Sequence, residues 1–322
     1  MIRLPKTPFI LFAMLCMLVT GCSNTQLFYN HADWLLGYRA NGYFDLTSEQ
    51  KPAAKLAIAN WLSWHRRSQL SCYAGLIDQF ETRAADQLTV ADMDWLRDEF
   101  QRQYQTLVNT AMPAATQILV TLDRDQIAHL EKRLAKDRKK LVKQLKLKPQ
   151  KRLRERAQKT VDGLPKWFGK LSSAQVDWLM QQSQQLPDTY ALWVDYRTER
   201  DRRLIEMLRA SRSQQVLIET LSPFWADPES VMAAAGPDTA ILMAKMRVAG
   251  HDMAVGFYQL TSHQQRDHFW QRMQEYRRDF LQLASAESNA SCQSDGLRQA
   301  GTPPGSSSDF TNQQHGNELA TN

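Results

Sequence analysis

Leu122-Asp123-Arg124-Asp125-Gln126, running on through Leu130, Leu134, Leu141 and Leu145, is the stretch that decides the fold class. Asp123 is a helix-capping residue type, and Gln126 stands three positions on, where its amide can reach back to the cap. The leucines that follow recur at helical spacing. They put one apolar stripe on a helix, and that stripe must be buried against a partner. The same phrase returns as Leu46-Thr47-Ser48-Glu49-Gln50, Leu88-Thr89-Val90-Ala91-Asp92, Leu171-Ser172-Ser173-Ala174-Gln175 and Leu260-Thr261-Ser262-His263-Gln264. Each copy reads as a helix start, capped by its second residue, with the leading Leu folded onto the first turn. Successive caps lie 42, 34, 49 and 89 residues apart. That irregularity argues for helical hairpins rather than a stacked solenoid repeat.

Three more stripes agree with this reading. Ala54, Ala57, Ile58, Trp61, Leu62 and His65 share one helix face. Met93, Leu96, Phe100, Tyr104 and Leu107 share a second, and Phe269, Met273, Tyr276, Phe280 and Leu283 a third. Glycine is scarce, at 13 residues in 322, and strand-type alternation is absent. The expected fold is all-α: an elongated multi-helix bundle of helical hairpins over residues 22–284. Pro149, Pro165, Pro187, Pro223, Pro228 and Pro237 read as helix ends or first-turn residues. From Ser285 onward Ser, Gly, Asn, Gln and Pro dominate, so residues 285–322 read as a disordered tail.

The amino terminus supplies an address. Arg3 and Lys6 precede an apolar run from Phe9 to Val19, and Leu18-Val19-Thr20-Gly21-Cys22 has the form of a lipobox. The run is far shorter than the roughly 20 residues a spanning helix needs. Residues 1–21 are expected to be a cleaved signal peptide, with Cys22 carrying diacylglyceryl and further acyl chains. A single chain binds a membrane only marginally, whereas two or three anchor it. Ser23 follows the cysteine, where Asp would point to the inner membrane. The expected place is therefore the bacterial envelope, at the periplasmic face of the outer membrane. Of the other cysteines, Cys16 leaves with the signal. Cys72 and Cys292 could form a bridge or remain two thiols.

Charge is concentrated in one place. Glu131 to Lys159 holds 14 Lys or Arg residues against Glu131, Asp137 and Glu155. It reads as a basic amphipathic hairpin broken at Pro149. In the envelope, nucleic acid is not an expected partner. Phospholipid, lipopolysaccharide, peptidoglycan and acidic proteins are, because each Lys or Arg near an anionic surface contributes about 1 kcal/mol. Lys139, Lys140, Lys143, Lys151, Arg152, Arg154 and Arg156 are the candidate binding residues. The competing reading is a solvated outer face, or pairing with acidic helices of the same chain.

A second candidate is Trp64-His65-Arg66-Arg67. His65 lies on an apolar stripe, and guanidinium groups beside it could grip a phosphate or carboxylate. A core histidine beside a paired surface arginine accounts for the same pattern and is favoured. The aromatic opening segments, Asn30-His31-Ala32-Asp33-Trp34 and Tyr43-Phe44-Asp45, are read as core packing, with a seat at the membrane interface as the alternative. Hydrolase elbows, phosphate-binding glycine loops and zinc-type histidine pairs are missing from the sequence. No catalytic residue, metal or cofactor is therefore expected.

With these segments in view, the chain resembles a family of uncharacterised bacterial lipoproteins, domain-of-unknown-function family 6279. The likeness rests on Cys22, Tyr29-Asn30, Asp33-Trp34-Leu35, Tyr43 to Thr47, Glu49-Gln50-Lys51, Trp64 to Arg67, Leu70, Tyr73, Trp167-Phe168-Gly169, Leu171-Ser172 and Gln175. It spans roughly residues 22–284. Cys72 departs from it, standing where a Pro-Tyr-type turn is expected. The resemblance implies a helical, lipid-anchored protein and transfers no site residues. The expected function is non-enzymatic binding or scaffolding through the basic hairpin. An envelope hydrolase or transferase centred on His65, or a lipid-carrying bundle, are the alternatives.

Overall fold

A computed structural model of the chain describes residues 24–210 and 213–284. The proposed signal peptide, Cys22, Cys292 and the tail fall outside the described residues. Nearly everything described is helical, and no strand occurs among the described residues. In chain order the helices are α1 (Asn24–Asn30), α2 (Ala32–Phe44), α3 (Gln50–Ser68), α4 (Leu70–Arg83), α5 (Val90–Leu119), α6 (Arg124–Leu145) and α7 (Pro149–Gly163). There follow α8 (Pro165–Phe168), α9 (Ser173–Gln185), α10 (Tyr190–Ala210), α11 (Gln214–Ala226), α12 (Pro228–Ala233), α13 (Pro237–Gln259) and α14 (His263–Leu283). The main pairings are α7 with α9, α4 with α14, α5 with α11 and α6 with α10. The fold is an all-α bundle.

Two principal cores hold it together. The first gathers Leu46, Met112, Leu122, Ile127, Leu130, Leu208, Leu217 and Leu221. The second gathers Phe80, Leu88, Val161, Phe168, Leu179, Phe257 and Tyr258. Helix α5 serves both: Met93 and Leu96 pack on the second core, and Met112 and Leu119 belong to the first. Phe100 and Tyr104, between these ends, are exposed. The stripe expected to be continuous is therefore interrupted, because a 30-residue helix leaves one core before it reaches the other.

The recurring helix starts are real capping boxes, and four of them do more than cap. Gln50 and Gln126 face each other with reciprocal amide bonds of 3.2 and 2.6 Å. The Gln50 amide also donates to the Thr121 carbonyl (3.0 Å), and that of Gln126 to the Asp45 carbonyl (2.8 Å). Gln175 and Gln265 repeat the arrangement, with reciprocal bonds of 2.8 and 3.0 Å. Gln175 donates to the Leu260 carbonyl at 2.9 Å and Gln265 to the Lys170 carbonyl at 3.0 Å. In every case the acceptor carbonyl lies five residues before the partner glutamine. Each junction thus has local two-fold symmetry. Glutamine suits it because the amide both caps its own helix and donates across, which a carboxylate cannot do. The remaining start ends in Asp92, which closes its own box on Thr89 and has Arg83 at 3.8 Å.

Two details differ from the sequence reading. The last start is capped by Ser262 with Gln265, not by Thr261 with Gln264. Thr261 turns inward and bonds the Tyr258 carbonyl, while Leu260 faces solvent. Pro149, Pro165, Pro228 and Pro237 open helices as expected, but Pro223 sits inside α11.

Candidate binding surface

Helices α6 and α7 form the basic hairpin. Its leucine side faces inward: Leu130 is buried in the first core and Leu134 packs against it. The cations divide into two sets. Arg152, in α7, turns back and donates to the carbonyls of Leu145 (2.9 Å) and Leu147 (2.5 Å), and pairs with Asp188 at 2.5 Å. It closes the open end of α6, where carbonyls lack helical partners. Arg156, one turn on, donates to the carbonyls of Ser183, Leu186 and Pro187, each at 2.8 Å. It closes the end of α9. Burial pushes its guanidinium below the ordinary arginine range, and Asp188 opposes that shift. Both of these expected binding residues are thus engaged within the chain as caps of helix ends. The reason is local: α9 ends in Leu186-Pro187 without a glycine cap, and a planar fork of donors satisfies its last carbonyls.

The other set points outward. Lys139, Lys140, Lys143, Lys151 and Arg154 are exposed, as are Lys132, Lys136, Lys146, Lys148 and Lys159. Lys140 has Asp137 at 3.5 Å. Lys139, Lys143, Lys151 and Arg154 make no ion pair among the described residues. The hairpin's acids are engaged elsewhere. Asp137 accepts from Tyr43 at 2.7 Å, and that bond holds its carboxyl below the ordinary range. Glu131 pairs with Arg209, and Glu155 accepts from Gln144. What remains is a face of positive charge.

The second candidate is assembled differently. The Nδ1 of His65 lies 2.8 Å from the Tyr29 hydroxyl and its Nε2 3.3 Å from the Tyr73 hydroxyl. Trp61 stacks on the ring at 5.5 Å and Trp64 meets it edge-on. In either tautomer, one nitrogen donates to a phenol and the other accepts from one. Burial lowers the imidazole pKa to about 4 and raises both phenols. Arg66 donates to Asn30 at 3.1 Å and lies over the Tyr29 ring, while Arg67 is exposed. The cluster pins α1 to α3 and α4. Tyr29 and Tyr73 were legible only as aromatic residues; nothing in their spacing announces a shared histidine.

Beside this cluster, α3 and α5 leave a cleft of about 520 Å³, lined among others by Leu56, Trp61, Trp64, Ala114 and Ile118. Cys72, buried on α4, is disulfide-bonded. No cluster of metal-ligating side chains occurs among the described residues, and no described helix is long and apolar enough to cross a membrane.

These features define an all-helical bundle, clasped at two glutamine junctions and carrying a dense set of outward cations on one hairpin. Residues 42–232 match the model of a family of unknown function, DUF6279, and the chain belongs to that family. The match begins inside α2 and ends inside α12, so it contains His65 and the whole basic hairpin. No curated protein and no solved structure matches the chain.

Proposed function

We propose that the chain is an envelope lipoprotein, anchored through lipid on Cys22, whose helical domain binds or scaffolds an anionic envelope component without catalysing a reaction. The observation that carries this reading is the outward set of the hairpin. Lys139, Lys143, Lys151 and Arg154 stand exposed with no carboxylate partner among the described residues, on a helix pair whose inward arginines are already engaged. Solvated lysines of one sign raise the local concentration of phosphate and carboxylate groups and lose that effect with salt. The Ser after Cys22 favours the periplasmic face of the outer membrane.

Co-purification at low and high salt tests the partner. Replacing Lys139, Lys140, Lys143, Lys151 and Arg154 with Glu abolishes capture at low salt; unchanged capture refutes the surface. The address has its own test. Cys22→Ala blocks processing and releases the chain from membranes, and unaltered partitioning refutes the anchor.

One observation favours a second reading, a lipid-carrying bundle: the apolar cleft between α3 and α5. Native mass spectrometry of the purified chain then shows a co-purified lipid that Ala114→Trp expels. The hydrolase or transferase alternative at His65 has less support, since both ring nitrogens are held by phenols.

A further inference from the structure

Helices α1 and α2 carry an exposed apolar stripe that neither core absorbs. Leu27 is 56 %, Phe28 65 %, Trp34 68 % and Tyr38 67 % exposed. Trp34 and Tyr38 lie four residues apart on α2 and share a face of that helix, and Leu27 and Phe28 stand exposed on α1 just before it. Trp34 and Tyr38 stack, with ring centroids 5.8 Å apart. The opposite side is firmly held. Gln26 bonds Asp279 at 3.0 Å, Tyr29 bonds His65, and Ala40, Tyr43 and Phe44 pack on the first core. The expected core role thus holds for Tyr43 and Phe44 and fails for Trp34.

We infer that this stripe is a membrane-interface face, resting on lipid headgroups beside the anchor. The inference depends on the Cys22 anchor proposed above. Cys22 lies two residues before Asn24, where α1 begins. A helix rises about 1.5 Å per residue, so Trp34 lies within about 15 Å of the point where α1 starts. A lipid on Cys22 therefore keeps the stripe near the bilayer surface. The chemistry suits that surface. Trp and Tyr combine an apolar body with a polar edge and favour the headgroup zone. The formal charges on α1 and α2 are Asp33 and Arg39, which cancel. Contact through this face is therefore apolar and independent of lipid charge, unlike contact through the basic hairpin.

The test uses the full-length lipidated protein in phosphatidylcholine vesicles carrying brominated acyl chains. Part of the tryptophan emission is quenched, and at least half of that quenching disappears in Trp34→Phe. It persists when salt is raised to about 1 M, where the Debye length is about 3 Å. Intact mass, measured on the same samples, reports the diacylglyceryl group separately. A chain without that mass overturns the anchor and this inference together. A lipidated chain with quenching unchanged in Trp34→Phe, or abolished by salt, overturns the inference alone. So does an unquenched Trp34 that instead crosslinks one copy of the chain to another. Phe28→Ser combined with Tyr38→Ser reports the same face: it reduces quenching of Trp34 without lowering the melting temperature.

Discussion

Arg152 and Arg154 are two residues apart on one helix and have opposite jobs. Arg152, with Arg156 one turn further on, reaches backbone carbonyls and Asp188. Arg154, with Lys139 and Lys143 of α6, is exposed and makes no ion pair among the described residues. The difference teaches that a run of cations is not one feature. On α7 the side that carries the buried Ala157 and Val161 looks inward, so a guanidinium there meets helix ends that need donors. A cation on the far side has no such partner and is available to a second molecule. The same division holds at the end of α3, where His65 and Arg66 are held by α1 and Arg67 is exposed.

The inward members break the fold first. Arg156→Ala leaves the last carbonyls of α9 without donors. The expected loss is about 2–4 kcal/mol, read as a fall in melting temperature. Arg156→Lys recovers only part of it, because an ammonium lacks the planar fork. A substitution at Arg156 without thermal effect would erase the distinction between the two sets.

Next comes His65. Its folded pKa lies near 4 against an ordinary 6.5. Between those values the unfolded chain takes up a proton that the folded chain refuses. The contribution is thus complete above pH 6.5 and is lost as pH falls toward 4. His65→Phe lowers stability at neutral pH and flattens the pH dependence across that window. Denaturant titrations at several pH values check both effects.

Gln126→Glu tests a junction. A carboxylate can still cap Asp123, but it cannot donate to the Asp45 carbonyl, and it opposes the Gln50 oxygen. A loss of about 1–3 kcal/mol is expected, read as a fall in melting temperature. The outward set has the smallest effect on stability. Changing Lys139, Lys143, Lys151 and Arg154 singly to Glu should move stability by no more than about 0.5 kcal/mol each.

Much of the fold is legible in the sequence because capping is local physics. A cap residue, a glutamine three positions on and a following stripe lie within one or two turns. Pairing is not local. Gln175 looks like an ordinary capping glutamine until Gln265, 90 residues away, faces it. The final start slips by one residue because Thr261 and Ser262 are both good caps, and only burial of Thr261 decides between them. The same limit governs the hairpin. Composition reveals its charge, but Arg156 finds Pro187 across 31 residues, and no spacing rule points there. Trp34 is ambiguous for a related reason: an aromatic residue on a helix is as consistent with a core as with an interface, and only its exposure separates them.

The outward cations as a binding surface are the central claim, and crosslinking in living cells tests it most directly. A photoreactive residue at Lys136, on the edge of the face, should give one dominant adduct. That adduct should vanish when Lys139, Lys140, Lys143, Lys151 and Arg154 are replaced with Glu, while the melting temperature stays put. An adduct of equal intensity in the charge-reversed chain, or none in either, would contradict the account.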